Sequence, residues 1–260
     1  MKKYLQLFAC YLKQSLAYRA DAIAGAVFSF FGVLIAYLLW RALIPGGATL
    51  NGFTLPEMVA YSMCSAAITP FAMENEAIFV FANEVRSGKF AKYLYTPVSA
   101  FGVFVCSSLA RALPKCLFTA LCCVLWSTIF HGIMAPVAPL AILRALPVLL
   151  LMVAFVVLLN YLISCLSFRY TDILGVILIR GTLLSLFAGS LAPLEVLFGG
   201  APVWSPFYYL VGYPALLMLG RAPVPPWLAA AVLGGYTLLL LALCLTVARG
   251  SRRYFEGVGA

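Results

Sequence analysis

Five ionisable side chains stand in otherwise apolar surroundings: Glu74, Glu76, Arg111, Lys115 and Arg180. A charge withdrawn from water is costly unless it is paired or faces a hydrated path, so these are the first candidates for function. Their types suit ion pairing or contact with a polar cargo. They do not suit bond-making chemistry, because no Ser/His/Asp, Cys/His or paired-carboxylate arrangement has the polar surroundings an enzyme site needs. His131 stands in a short turn with no partner motif and reads as solvated. The eight cysteines (Cys10, Cys64, Cys106, Cys116, Cys122, Cys123, Cys165 and Cys244) form no Cys-x-x-Cys pair and no Cys/His cluster. Neither a disulfide framework nor a zinc site is indicated, and the plain reading is small apolar packing residues. A Walker A loop needs a second glycine followed by Lys and then Ser or Thr. The only Gly-Lys pair is Gly88-Lys89, followed by Phe90 and preceded by Asn83 where the first glycine belongs. No catalytic, cofactor or metal residue is therefore expected.

The elements that must position these charges follow from composition. The chain has 260 residues, 65% hydrophobic and 10% charged. A soluble domain carries about 25% charged residues, and a soluble core of this size cannot hide so much apolar surface. The expected fold is an all-α polytopic membrane protein. A spanning helix takes about 20 mostly apolar residues, and about six stretches qualify: 22–40 (extending to 44), 56–82, 98–130, 145–168, 173–194 and 227–248. The second is interrupted by Glu57, Glu74 and Glu76, the third carries Arg111 and Lys115 in its first half, and the fifth carries Arg180. Ion pairs between the second and third spans would brace their base; substrate contact is the alternative. Asp172, two turns below Arg180, is the expected partner for it. Gly181, Ser185 and Gly189 recur every fourth residue, as do Ala22/Ala26 and Gly25/Ser29, a spacing that lets helices approach closely within or between chains.

Two segments fall outside this pattern. Residues 1–19 place Tyr4, Leu5, Phe8, Leu12 and Leu16 at helical spacing, which predicts an amphipathic helix along the inner membrane surface. Gln6, Lys13, Gln14 and Arg19 interrupt any signal-peptide pattern there. Residues 195–226 are apolar and aromatic but broken by Gly199, Gly200, Pro202, Pro206 and Pro214. They predict re-entrant or interfacial helices on the outer side, against a rival seventh span over 203–220. The net charge of +9 reports orientation. No basic run with interleaved aromatics suggests nucleic-acid binding. With the N-terminus inside, Lys2, Lys3, Lys13, Arg19, Arg86, Lys89, Lys92, Arg111, Lys115, Arg169, Arg249, Arg252 and Arg253 are inner, and only Arg41, Arg144 and Arg221 are outer. Both termini are then cytoplasmic, which requires an even number of spans. No internal repeat supports an inverted-repeat carrier, and the chain reads as one domain.

The polar loop 83–97 mixes charge (Glu84, Arg86, Lys89, Lys92) with large apolar residues (Phe90, Tyr93, Leu94, Tyr95). A short amphipathic helix there would offer a partner both a docking face and a charge code; an ordinary positive inner loop is the plainer reading.

The stretch Glu84-Val85-Arg86-Ser87-Gly88, followed by Tyr93-Leu94-Tyr95-Thr96-Pro97-Val98-Ser99, resembles the coupling segment of the ABC-2 family of exporter permeases. The likeness is closest to its six-span branch of similar length and extends to Leu16-Ala17-Tyr18-Arg19-Ala20-Asp21 and to the tail from Arg252 to Gly259, where Phe255 separates Tyr254 from Glu256. The resemblance implies an exporter in the inner membrane of a prokaryote. Two permease chains, identical or related, would pair there, each seated on a cytoplasmic ATPase that holds ATP and Mg. It assigns the coupling role to Glu84, Arg86, Gly88, Lys89, Tyr93 and Leu94. An autonomous channel or proton-coupled carrier is the alternative, and it would need more titratable groups along a path. A polytopic membrane enzyme would need a catalytic cluster near one surface.

Overall fold

The computed structural model describes residues 2–251 apart from 18, 130, 131, 138 and 171. Tyr18, His131, Arg252, Arg253 and the tail motif lie outside the described residues. Helix is the only regular structure among those described, with one isolated bridge between Leu50 and Phe53. Four helical stretches are long and apolar enough to cross a bilayer: Ile23–Leu43, Ala100–Thr128, Leu140–Phe168 and Pro226–Val247. They belong to helices α2 (Arg19–Leu43), α6 (Ala100–Ile129), α7 (Pro139–Cys165, with a 3-10 turn over Leu166–Phe168) and α11 (Pro226–Ser251).

The other two expected spans are not continuous. Residues 56–82 divide into α3 (Leu55–Ala72) and α4 (Glu76–Arg86). Pro70 weakens the end of α3, because its nitrogen carries no proton and its ring crowds the preceding turn. The polar residues Glu74 and Asn75 follow at once. Residues 173–194 form only α8 (Leu174–Phe187), 14 residues long. It stops where Gly189 adopts a positive φ of 75°. Residues 195–226 contain α9 (Leu194–Phe198), a 3-10 turn Pro206–Tyr209 and α10 (Gly212–Met218). A single span over 203–220 is therefore not formed. Three of its aromatic rings pack against one another: Tyr208, Tyr209 and Tyr213 are fully buried, with ring centroids 5.2–5.9 Å apart. Trp204 stays exposed.

α7 is the central helix. It packs against α11, α10, α4 and α3, and its buried residues (Val148, Met152, Phe155, Val156 and Tyr161) join the largest apolar cluster. α6 carries the other side, packing against α2 and α3. The outward faces keep Leu, Ile and Phe side chains exposed, such as Phe28, Ile35, Leu150 and Leu238, which is the surface a lipid solvent requires.

The N-terminal stretch forms α1 (Lys2–Ala17), which packs along α6. Tyr4, Leu7, Phe8, Tyr11, Leu12 and Ser15 are its half-buried face. Leu5 and Leu16, expected on the same stripe, lie at its edge beside Leu12 and are exposed. The apolar face is thus wider than the part that α6 covers, and its edge is free. Tyr4 fixes its register. Its hydroxyl accepts the Ser99 N–H at 3.0 Å and pairs with Ser99 Oγ at 3.1 Å. Its ring lies over Gly102, where a Cβ would overlap it. Gly102→Val should therefore release α1 alone. Hydrogen exchange is expected to speed up over residues 2–17 while α7 and α11 keep their protection.

Candidate functional site

The break between α3 and α4 is built from buried charge. Helix ends leave backbone groups unpaired, and hydrocarbon offers them no partner. The Ala72 carbonyl accepts Nη2 of Arg180 at 2.8 Å, and Asn75 Oδ1 accepts Nη1. The Ala77 N–H donates to Oε1 of Glu74 at 3.0 Å, while Oε2 accepts the Ser108 hydroxyl at 3.1 Å. The Glu74 carbonyl accepts Nδ2 of Asn160, from α7, at 2.9 Å. Residues 72–77 are thereby held by α6, α7 and α8 together. Arg180 does not reach Asp172, its expected partner. Asp172 is exposed at the start of α8, where Oδ1 accepts the Leu174 N–H at 3.0 Å and lies 3.4 Å from Arg86. The reason is geometric: a residue two turns away along a helix is farther than a chain end packed against its face.

One turn on, Glu76 meets α6. It accepts from Arg111 at 3.1 Å and pairs with Lys115, whose Nζ also lies 3.1 Å from Asp21 at the start of α2. The structure brings Glu76, Arg111 and Lys115 together and leaves Glu74 out, because Glu74 spends one oxygen on the Ala77 N–H at the helix end and the other on the Ser108 hydroxyl. Asp21 was not singled out from sequence. Its signal was a carboxylate at the foot of the first apolar run, level with basic residues on a later helix. These charges border a cavity of about 310 Å³ that Tyr11, Gln14 and Ser15 of α1 close from the other side.

At the far end of α4, residues 83–97 fold onto themselves. Glu84 is turned inward, its side chain 17% exposed, and accepts from Lys92 at 2.6 Å and from the Tyr93 hydroxyl at 2.7 Å. Burial, and then the Glu84 carboxylate, push the Tyr93 phenol well above its ordinary pKa, so it stays a donor. Gly88 has φ 70°, a left-handed conformation that lets the chain reverse out of α4. The next turns are a 3-10 stretch Lys89–Ala91 and α5 (Lys92–Tyr95). Leu94 lies on α5, with its side chain outside the described ones. Phe90 is 3% exposed and packs edge-on against Phe81, Tyr93 and Phe168 at 4.8–5.7 Å. The exposed residues of the segment are Asn83, Arg86, Ser87, Lys89, Tyr95 and Pro97, with Tyr95 78% exposed. Tyr95 is outside the set that the resemblance assigns to coupling.

The family model described as ABC-2 family transporter protein matches residues 30–257. The chain belongs to the ABC-2 family. It is a multi-pass membrane permease, a transport subunit without ATPase activity of its own. No curated protein and no solved structure matches it. Among the described residues of the permease, no three His, Cys, Asp or Glu gather to hold a metal, and all eight cysteines are free.

The small-residue stripe of the permease divides. Gly181 faces open space. Ser185 on the same helix donates back to the Gly181 carbonyl at 2.9 Å. Gly189 lies beyond the end of α8, pressed against Gly212 and accepting the Tyr61 hydroxyl at its carbonyl.

Two substitutions separate these roles. Arg180→Met should cost about 2–4 kcal/mol, since it strands the Ala72 carbonyl and Asn75. Glu74→Gln should cost less than about 1 kcal/mol, because an amide carbonyl can still take the Ala77 N–H. Thermal unfolding in detergent reads both. In a double-mutant cycle on the same assay, Glu76→Gln and Lys115→Met should be less than additive by about 1 kcal/mol.

Proposed function

We propose that this permease is the membrane subunit of an ATP-driven exporter. Two such chains pair in the inner membrane, each seated on a separate cytoplasmic ATPase that binds ATP and Mg. The chain crosses six times: α2, α3 with α4, α6, α7, α8 with the turn after it, and α11. Residues 195–226 re-enter from the outer side, and both termini are cytoplasmic. The excess of basic residues on the side of α1 and residues 83–97 supports this orientation. An amphipathic α1 with an exposed apolar edge suits the inner surface of the bilayer.

The observation that carries the mechanism is the continuity of α4. Its 11 residues, about 16 Å long, join the braced segment at one end to the Glu76 ion pairs and the 72–77 break at the other. A push on residues 83–97 cannot dissipate in a floppy loop, because Glu84, Lys92, Tyr93 and Phe90 tie that loop to α4. It tilts α4 about the break instead. Glu76 then withdraws from Lys115, and access alternates between the two sides. Arg86, Lys89 and Tyr95 meet the ATPase. Glu84, Gly88 and Tyr93 keep the segment stiff.

Docking and coupling are separable by experiment. The chain is co-purified with its candidate ATPase in mild detergent. Arg86→Glu with Lys89→Glu and Tyr95→Ala should abolish the complex. Glu84→Gln with Tyr93→Phe should keep the complex and lower transport at least about tenfold, while ATP hydrolysis continues. Absence of a complex with any ATPase, together with transport by the purified chain alone in liposomes, would replace this reading with an autonomous carrier.

A further inference from the structure

Helix α1 carries Lys2, Lys3 and Lys13 and no acidic residue. All three lysines are exposed, and among the described residues no carboxylate is ion-paired with any of them. Four other cations on this side are answered within the chain: Arg86 by Asp172, Lys92 by Glu84, Arg111 by Glu76, and Lys115 by Glu76 and Asp21. Lys2 and Lys3 do nothing for the helix that carries them, because they stand in its first turn, where the backbone dipole disfavours cations. The charge of α1 is left for something outside the chain.

The lysines stand beside free apolar surface. Around the helix, Leu5, Leu12 and Leu16 fall within about 40° of one another, and Lys2 and Lys13 follow about 40–60° beyond Leu16. Leu5 is 66% and Leu16 46% exposed. Leu16 stands seven residues, about 10 Å of helix, before Ile23, where the first membrane-length apolar stretch begins. This edge therefore lies close to the headgroups. On the opposite flank of α1, Lys3 and Gln6 border a cavity of about 400 Å³ against Thr96, Pro97 and Val98, and Leu7 adds to its apolar wall. The Gln6 amide has no hydrogen-bond partner among the described residues. A cation and a free amide donor over an apolar wall match a phosphate ester that carries an acyl chain. An acidic protein surface would answer the lysines and leave the leucines in water. The inner leaflet supplies phosphates and hydrocarbon at one edge.

We infer that α1 binds anionic phospholipid of the inner leaflet. Lys2 and Lys13 meet headgroups along the leucine edge, and Lys3 with Gln6 seats one headgroup in the cavity. A lipid held there touches both α1 and the end of the 83–97 segment, through Thr96 and Pro97. The inference goes beyond the exporter reading and rests on it only for the cytoplasmic side of α1.

The test uses the full chain in nanodiscs of equal phosphatidylglycerol and phosphatidylcholine with the same acyl chains. Lipids that leave the nanodisc with the protein are counted by native mass spectrometry. One lysine beside an anionic surface is worth about fivefold in binding, so a lipid that meets one or two should be retained about 5- to 25-fold over phosphatidylcholine. Lys2→Gln, Lys3→Gln and Lys13→Gln together should bring the two lipids to parity. Lys2→Arg, Lys3→Arg and Lys13→Arg together should keep the preference. All six side chains replaced are exposed and unpaired, so both variants should unfold at the wild-type temperature. Parity in wild type, or an undiminished preference in the glutamine variant, overturns the proposal. Displacement of phosphatidylglycerol by an equal concentration of glycerol phosphate overturns it in favour of a free phosphate. Parity in wild type with loss of the ATPase complex in the glutamine variant overturns it in favour of a protein partner. The side of α1 is read separately at Cys10, the one exposed cysteine. It should react with a membrane-impermeant maleimide in inside-out vesicles and not in intact cells. Reaction in intact cells sinks the orientation, whereas lipid parity with Cys10 inside sinks the lipid site alone.

Discussion

Everything in this structure depends on how a broken helix survives among apolar side chains. In hydrocarbon a backbone N–H or C=O without a partner costs several kcal/mol, and the gap between α3 and α4 exposes such groups in mid-chain. Arg180 and Asn160 answer them from α8 and α7, and Glu74 answers from within the break, itself held by Ser108 of α6. The charges are therefore the scaffold of the break and not an ornament on it. Arg180 Nε and Asn160 Oδ1 make no hydrogen bond within the chain. A joint of this kind can move where a continuous helix would have to bend.

The joint gains meaning from what lies on either side of it. Below, the 83–97 segment is held rigid by a carboxylate facing inward and a phenylalanine driven into the core. Beside it, Glu76, Arg111, Lys115 and Asp21 tie α4 to α6 and α2. Ion pairs are strong in low dielectric but expensive to desolvate. α1 covers the outside of this region, seated by one tyrosine on one glycine.

Much of this was legible in the sequence, and the reasons are physical. Four long helices announce themselves because a bilayer demands about 20 apolar residues in a row. The break at 73–75 is invisible to such a criterion, since three residues barely change the average hydropathy of a window. Pro70, Glu74 and Asn75 were its only traces. Arg180 was assigned to Asp172 because sequence shows neighbours along a helix and hides those across it. Glu84 looked like a docking charge because a polar loop suggests solvent, whereas the fold turns it toward Lys92 and Tyr93. In the aromatic 195–226 stretch, composition does not tell which rings pack inside, as Tyr208, Tyr209 and Tyr213 do, from those left exposed, as Trp204 is.

The central claim is that α4 moves as a lever about the break when the ATPase acts. It is tested most directly by electron–electron distance measurements on the permease–ATPase complex in nanodiscs, in a cysteine-substituted background. Spin labels go at Phe79 on α4 and Leu121 on α6, both exposed, with Ile35 and Leu121 as a reference pair. The account predicts that ATP binding shifts the Phe79–Leu121 distance by several ångströms and leaves Ile35–Leu121 unchanged. An unchanged Phe79–Leu121 distance in a complex that hydrolyses ATP and transports would contradict it.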